Sequence, residues 1–133
     1  MNTGVVSTDS REVTGARLRE LCCSPLLAGE LAEADAAFLA RALKALGEPV
    51  RLRILGRIRT RPGGQATTTD LAAHLGLTQP TVSHHLGALY ETGFLTRRRD
   101  GRQTWYAIEP SAFESLQQLL EPRPPANDRS VAG

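Results

Sequence analysis

The chain has little of what staples, exports or anchors a protein. Its only cysteines are the neighbours Cys22 and Cys23, a pairing that strains any disulfide between them, so a disulfide scaffold is not expected. No apolar run approaches the length of a bilayer-crossing helix, and residues 1–30 hold no continuous hydrophobic stretch of the export-signal kind. A cytoplasmic protein with no membrane partner is expected. Catalytic groupings are missing as well. The three histidines, His74, His84 and His85, fall in one region, no Ser/His/Asp or paired-glutamate set stands out, and no glycine-rich phosphate loop follows a strand. Gly63-Gly64 reads as a plain turn. Neither an enzyme nor a required cofactor is expected.

With 133 residues and a net charge of +2, the chain has room for one small domain and tails. Residues 1–15 read as a flexible start, 16–121 as the folded domain and 122–133 as a disordered proline-rich tail. The charge is uneven. Acids concentrate between Glu20 and Asp35, whereas Arg51, Arg53, Arg57, Arg59 and Arg61 make one helix basic and Arg97, Arg98, Arg99 and Arg102 form a second basic cluster.

Helical periodicity is strongest in four places. Leu31 to Leu46 sets Leu39, Leu43 and Leu46 on one stripe with Phe38, Ala42 and Ala45 beside it. Ser111 to Glu121 carries Ala112, Phe113, Leu116, Leu119 and Leu120 on another. So small a domain has limited core to absorb both, so part of each is expected to be buried against a second copy. Between them, Asp70 to Leu75 is a short helix stopped by Gly76, and Thr78 caps a second helix beginning at about Gln79, with Pro80 in its first turn. That second helix runs to Glu91 or Thr92, turns Val82, Leu86 and Leu89 inward, and leaves Gln79, Thr81, Ser83, His84 and Gly87 outward. Short hydrogen-bonding side chains at a helix N-terminus suit the edges of bases in a major groove.

Gly93 ends this helix, and Phe94 to Ile108 reads as a β-hairpin turning at Asp100-Gly101 with the four arginines crowded at its tip. So dense a cation cluster is a phosphate-binding element. The expected class is mainly α (α+β): a winged helix-turn-helix with one β-hairpin wing and a helical dimer interface, whose partner is double-stranded DNA.

Three runs, Glu48 to Leu55, Leu75 to Leu86 and the arginine-rich wing with Trp105-Tyr106, resemble the ArsR/SmtB family of bacterial metal-sensing repressors over about Leu31 to Leu120. The resemblance implies a homodimer that binds an imperfect palindrome and releases it when an inducer binds. It implies that Gln79, Pro80, Thr81, Ser83 and His84 enter the groove, with capping Thr78 beside them, and that Arg97, Arg98, Arg99 and Arg102 touch the flanking minor groove or backbone. His85 is expected to pack or to bind phosphate. Arsenic- and cadmium-type relatives often carry Cys-x-Cys-Asp-Leu before the reading helix, where this chain has Thr67-Thr68-Thr69-Asp70-Leu71. Other relatives keep an N-terminal Cys-Cys-Ser-Pro run, as in Cys22-Cys23-Ser24-Pro25 here. Soft thiolates suit a thiophilic inducer, As(III) first, with Sb(III), Cd²⁺, Hg²⁺ and Cu(I) of the same class. Completion of the site by Asp70 and His74 is a further arrangement. The zinc site some relatives place on the last helix is not expected, because residues 111–121 offer only Glu114 and Glu121 and no histidine. Two alternatives keep the DNA function: a thiol redox or persulfide switch, and a repressor that has lost metal sensing.

Overall fold

The computed structural model describes residues 30–121. The expected flexible start, the Cys22-Cys23 pair and the tail lie outside the described residues. Within them the order is α1 (Glu33–Leu46), α2 (Pro49–Thr60), a 3-10 turn (Pro62–Gly64), β1 (Gln65–Thr67), α3 (Thr68–Leu75), α4 (Gln79–Glu91), β2 (Leu95–Asp100), β3 (Gln103–Ile108) and α5 (Pro110–Leu120).

Several helices start alike, with a side-chain cap followed by proline. Glu48 Oε1 accepts from the Arg51 N–H at 3.0 Å ahead of α2, and Thr78 Oγ1 accepts from the Thr81 N–H at 3.3 Å ahead of α4. The Glu109 carboxylate accepts from the Ser111 N–H at 3.2 Å ahead of α5, which explains why that helix begins at Pro110 and not at Ser111. Each cap satisfies a donor that the helix leaves open, and each proline sits where no N–H is missed. The stop at Gly76 is as expected: its φ is 70° and its N–H bonds the Ala72 carbonyl.

The core forms where these helices meet a small sheet. Ile54, Ile58, Leu71, Val82, Leu86, Leu89, Phe94, Leu95 and Leu119 are fully enclosed. α1 starts at Glu33, two residues later than the periodicity implied, and its buried face is Phe38, Leu39, Ala42 and Ala45. Leu43, on the stripe of which part was expected to be buried against a second copy, is exposed. Small Ala42 and Ala45 let the helix approach closely along the i, i+4, i+7 row from Phe38, and that rotation turns Leu43 outward.

The sheet has the order β1-β3-β2 with antiparallel neighbours. Two features differ from the sequence reading. The hairpin is joined by a third strand, β1, whose Ala66 lies opposite Tyr106. The turn also moves by one residue: Asp100 pairs with Gln103, so the loop is Gly101-Arg102, with Gly101 at φ 64°. A two-residue hairpin requires positive φ at its first loop position, which glycine supplies and aspartate does not readily.

Asp70 fastens α2 to α3. The Arg57 guanidinium donates to both of its oxygens, through Nη2 at 3.2 Å and Nε at 3.3 Å, and Arg61 approaches to 3.7 Å. The Arg57 hydrogen bond, with the charges of Arg57, Arg61 and His74, outweighs burial and holds the Asp70 carboxyl below its ordinary value. A lowered carboxylate adds stability that is complete above the ordinary value of 3.8 and is lost as pH falls through the lowered folded one. Asp70→Asn is therefore expected to reduce stability at about pH 7 and by much less at about pH 2, as read by urea unfolding at both. An equal loss at the two pH values would contradict the assignment.

Candidate nucleic-acid interface

The two sides of α4 are chemically opposite. Val82, Leu86 and Leu89 have no exposed surface, while Thr78, Gln79, Pro80, Thr81, Ser83 and His84 are all exposed at the N-terminal half. The sequence placed each of these on the side where it is found, except that Gly87 is half-buried at the edge. The Thr78 hydroxyl also donates to Thr81 Oγ1 at 2.9 Å, so cap and outward side chain hold each other. Around it the helix presents its positive end, which favours a phosphate.

The wing stands beside this helix, and a cation–π contact helps to join them: the Arg97 guanidinium lies 4.0 Å over the Tyr90 ring. Strand alternation then divides the arginines. Arg97 pairs with Tyr106 and Arg99 with Thr104 on one face, whereas Arg98 pairs with Trp105 on the other. Arg99 Nε donates to the Gly101 carbonyl at 3.0 Å and its Nη1 to Thr104 Oγ1 at 3.3 Å, which fixes its guanidinium against the turn. Arg98 donates to Gln65 Oε1 at 3.0 Å and reaches Asp100 at 3.5 Å, with its guanidinium 5.7 Å from the Trp105 ring. Arg102 occupies the loop itself. All four are exposed.

The basic α2 is not uniformly available. Arg57 and Arg61 belong to Asp70, and Arg51 donates to His85 Nδ1 at 3.1 Å, while Arg53 and Arg59 are exposed. His85 is packed, as one of the sequence readings had it, with its ring edge-on to His84 at 5.5 Å between centroids. The Arg51-His85 contact, which joins residues 34 positions apart, and the Arg97-Tyr90 contact between the neighbouring α4 and β2 were not anticipated.

Among the described residues no group of His, Cys, Asp or Glu is arranged to hold a metal ion. Asp70 is engaged by two guanidiniums and His74 is exposed, so the pair offers no assembled site. Thr67, at a thiol position of some relatives, is buried and caps α3 by accepting from the Asp70 N–H at 3.0 Å. A hydroxyl with a structural partner thus stands there.

Comparison with known proteins agrees with this geometry. Residues 46–98 match a family model described as a helix-turn-helix domain. A probable mercury resistance operon repressor of Streptomyces lividans is 38% identical over 101 residues, spanning 72% of this chain and 78% of the relative. An arsenical resistance operon repressor of Staphylococcus aureus is 32% identical over 93 residues, 70% of this chain and 86% of the relative. A solved structure of a possible transcriptional regulator for arsenical resistance superposes with a TM-score of 0.53 at 31% identity, covering 68% of this chain and 93% of that one.

Removing the Thr78 cap tests how the exposed helix end is held. Thr78→Ala is expected to destabilise the domain by about 1 kcal/mol in urea unfolding, and Thr78→Ser by only a few tenths. Equal losses would place the effect in the threonine methyl group.

Proposed function

Because the chain belongs to the ArsR/SmtB family of winged helix-turn-helix transcriptional repressors, and is a DNA-binding regulator and not an enzyme, we propose that it acts as a cytoplasmic homodimer on an imperfect palindromic operator. A thiophilic metal or metalloid bound by Cys22 and Cys23 releases it. The observation that carries the DNA half is the row of exposed polar side chains from Thr78 to His84 beside an arginine-loaded wing. Gln79 and Ser83 exchange hydrogen bonds with base edges, helped by Pro80, Thr81 and His84 along the groove. Arg97, Arg98, Arg99 and Arg102 supply phosphate or minor-groove contacts that fix register without reading sequence.

The inducer half rests on the chemistry of the thiols and on the resistance operons named for the relatives. Two soft sulfurs suit As(III) that retains an oxygen ligand or is shared between subunits. A mercuric ion is the second reading. It is favoured by the count of cysteines, since the chain has no third thiol to offer, and by the mercury repressor among the relatives. Either ion releases DNA only by binding the free conformation better than the bound one.

Arg99→Ala and Arg102→Ala are each expected to weaken binding to every duplex and to lower the salt slope by about one. Gln79→Ala should instead change which sequence is preferred, as measured by selection from a random duplex pool. An unaltered preference would remove Gln79 from the groove. The double variant Cys22→Ser, Cys23→Ser is expected to bind the selected duplex like wild type but to remain bound when As(III) or Hg²⁺ is added. Release of the double variant by either ion would overturn the thiol assignment for that ion.

A further inference from the structure

Arg51 makes contacts that surface arginines in a basic helix do not need. Its Nε donates to His85 Nδ1 at 3.1 Å on α4, and its Nη1 donates to the Ala45 carbonyl at 3.3 Å in the last turn of α1. Its own backbone N–H is capped by Glu48 Oε1 at 3.0 Å, and that same oxygen lies 3.8 Å from His85 Nδ1. One side chain thus ties the end of α1 and the start of α2 to the helix that faces DNA. The His85 side chain is only 14% exposed, so the tie is partly shielded from water.

We propose that Arg51 and His85 form a proton-sensitive clasp that positions α4 for DNA binding. The proposal rests on the DNA-binding reading above. Nδ1 accepts from Arg51 only while it carries no proton, which places the proton of the neutral ring on Nε2. Protonation of a neutral imidazole that holds its proton on Nε2 adds the second proton at Nδ1. Donor then faces donor and cation faces cation, so the Arg51 bond is lost. Charged or titratable groups facing the ring include Arg51 on α2, Glu48 that caps it, and His84 on α4. α1 contributes the Ala45 carbonyl, reached through Arg51. Glu48 is the acceptor left to the protonated ring, and the atom that would accept, Oε1, is the one capping α2. Protonation therefore removes the Arg51 tie and competes with the cap at once. His84 works in the opposite sense, because a protonated ring on the exposed face attracts phosphate. The clasp is isolated by comparing proteins that all keep His84.

The test measures affinity for a duplex selected by the wild-type protein from a random pool, at about pH 8 and about pH 5.5, and takes the ratio. His85→Asn places an acceptor oxygen near the Nδ1 position that does not titrate, and Arg51→Met removes the donor at similar length. On acidification wild type is expected to lose about fivefold more affinity than His85→Asn. Arg51→Met is expected to bind about tenfold more weakly at pH 8 and to share the His85→Asn ratio. A His85→Asn ratio equal to that of wild type overturns the proposal. Should Arg51→Met lose its circular dichroism, the His85→Asn ratio and the ring ¹⁵N shifts of wild-type His85 decide. A proton on Nδ1 at pH 8 overturns the clasp, and one on Nε2 supports it. Failure of wild type to select any duplex overturns the DNA-binding reading, and that outcome is distinct from an unchanged ratio.

Discussion

The structure depends first on the burial of Val82, Leu86 and Leu89. All lie on one face of α4 and none retains exposed surface, so each contributes on the order of 1.5–3 kcal/mol that would be lost if the helix turned. A rotation by one residue, about 100°, would carry Ser83 inward with no partner prepared for its hydroxyl. Apolar burial on one side therefore fixes the orientation of the polar side. The outward row from Thr78 to His84 is as well determined as the core, although none of those residues is packed in it.

Charge is divided with the same consistency. Arg51, Arg57 and Arg61 have acceptors within the domain, and Asp70 carries two of them. These side chains join helices and are not free to displace counterions from a polyanion. Arg98 and Arg99 of the wing also have partners, but all four wing arginines stay exposed, and the net charge of +2 understates the field they create locally. The Arg97-Tyr90 stack keeps that field beside α4, so on the proposed function positioning contacts and base-reading groups approach a duplex together.

What was legible in the sequence was what local rules determine. Thr78 before Pro80, Gly76 and Gly93 at helix ends, and the spacing of Val82, Leu86 and Leu89 state their own conformations, and the structure follows them. β1 was not legible, because Gln65-Ala66-Thr67 is too short to show alternation and becomes a strand only by pairing with β3. The turn was misplaced by one residue because Asp-Gly describes the residues a hairpin loop favours but not the register of its flanking pairs, which Leu95 opposite Ile108 helps to set from the buried end. Leu43 is exposed in the single chain: periodicity gives a stripe but not which edge of it a neighbouring helix will cover. At the candidate interface the exposed row was readable, whereas the division of the arginines between two faces came only with the strand register. The Arg51-His85 contact spans 34 positions and has no local signature.

The position of the thiols in the sequence, ahead of α1, bears on how an inducer can act. Cys22 and Cys23 precede α1 in the chain, and the described residues offer no metal group of their own near α4. On the proposed function, an ion bound at the thiols would act through how α1 and a second subunit are held. A two-fold protein reads half-sites about 34 Å apart, so a small change in the angle between subunits displaces both reading helices from register. A coupling of ~1–3 kcal/mol, ordinary for allosteric proteins, already weakens binding by roughly 5–150-fold. Within one subunit, α1 ends at the carbonyl that Arg51 holds, and Arg51 holds His85. Movement of α1 therefore bears on α4 through the same side chain that protonation of His85 would release, so proton and inducer would act on one joint, and neither requires the helix-turn-helix to unfold.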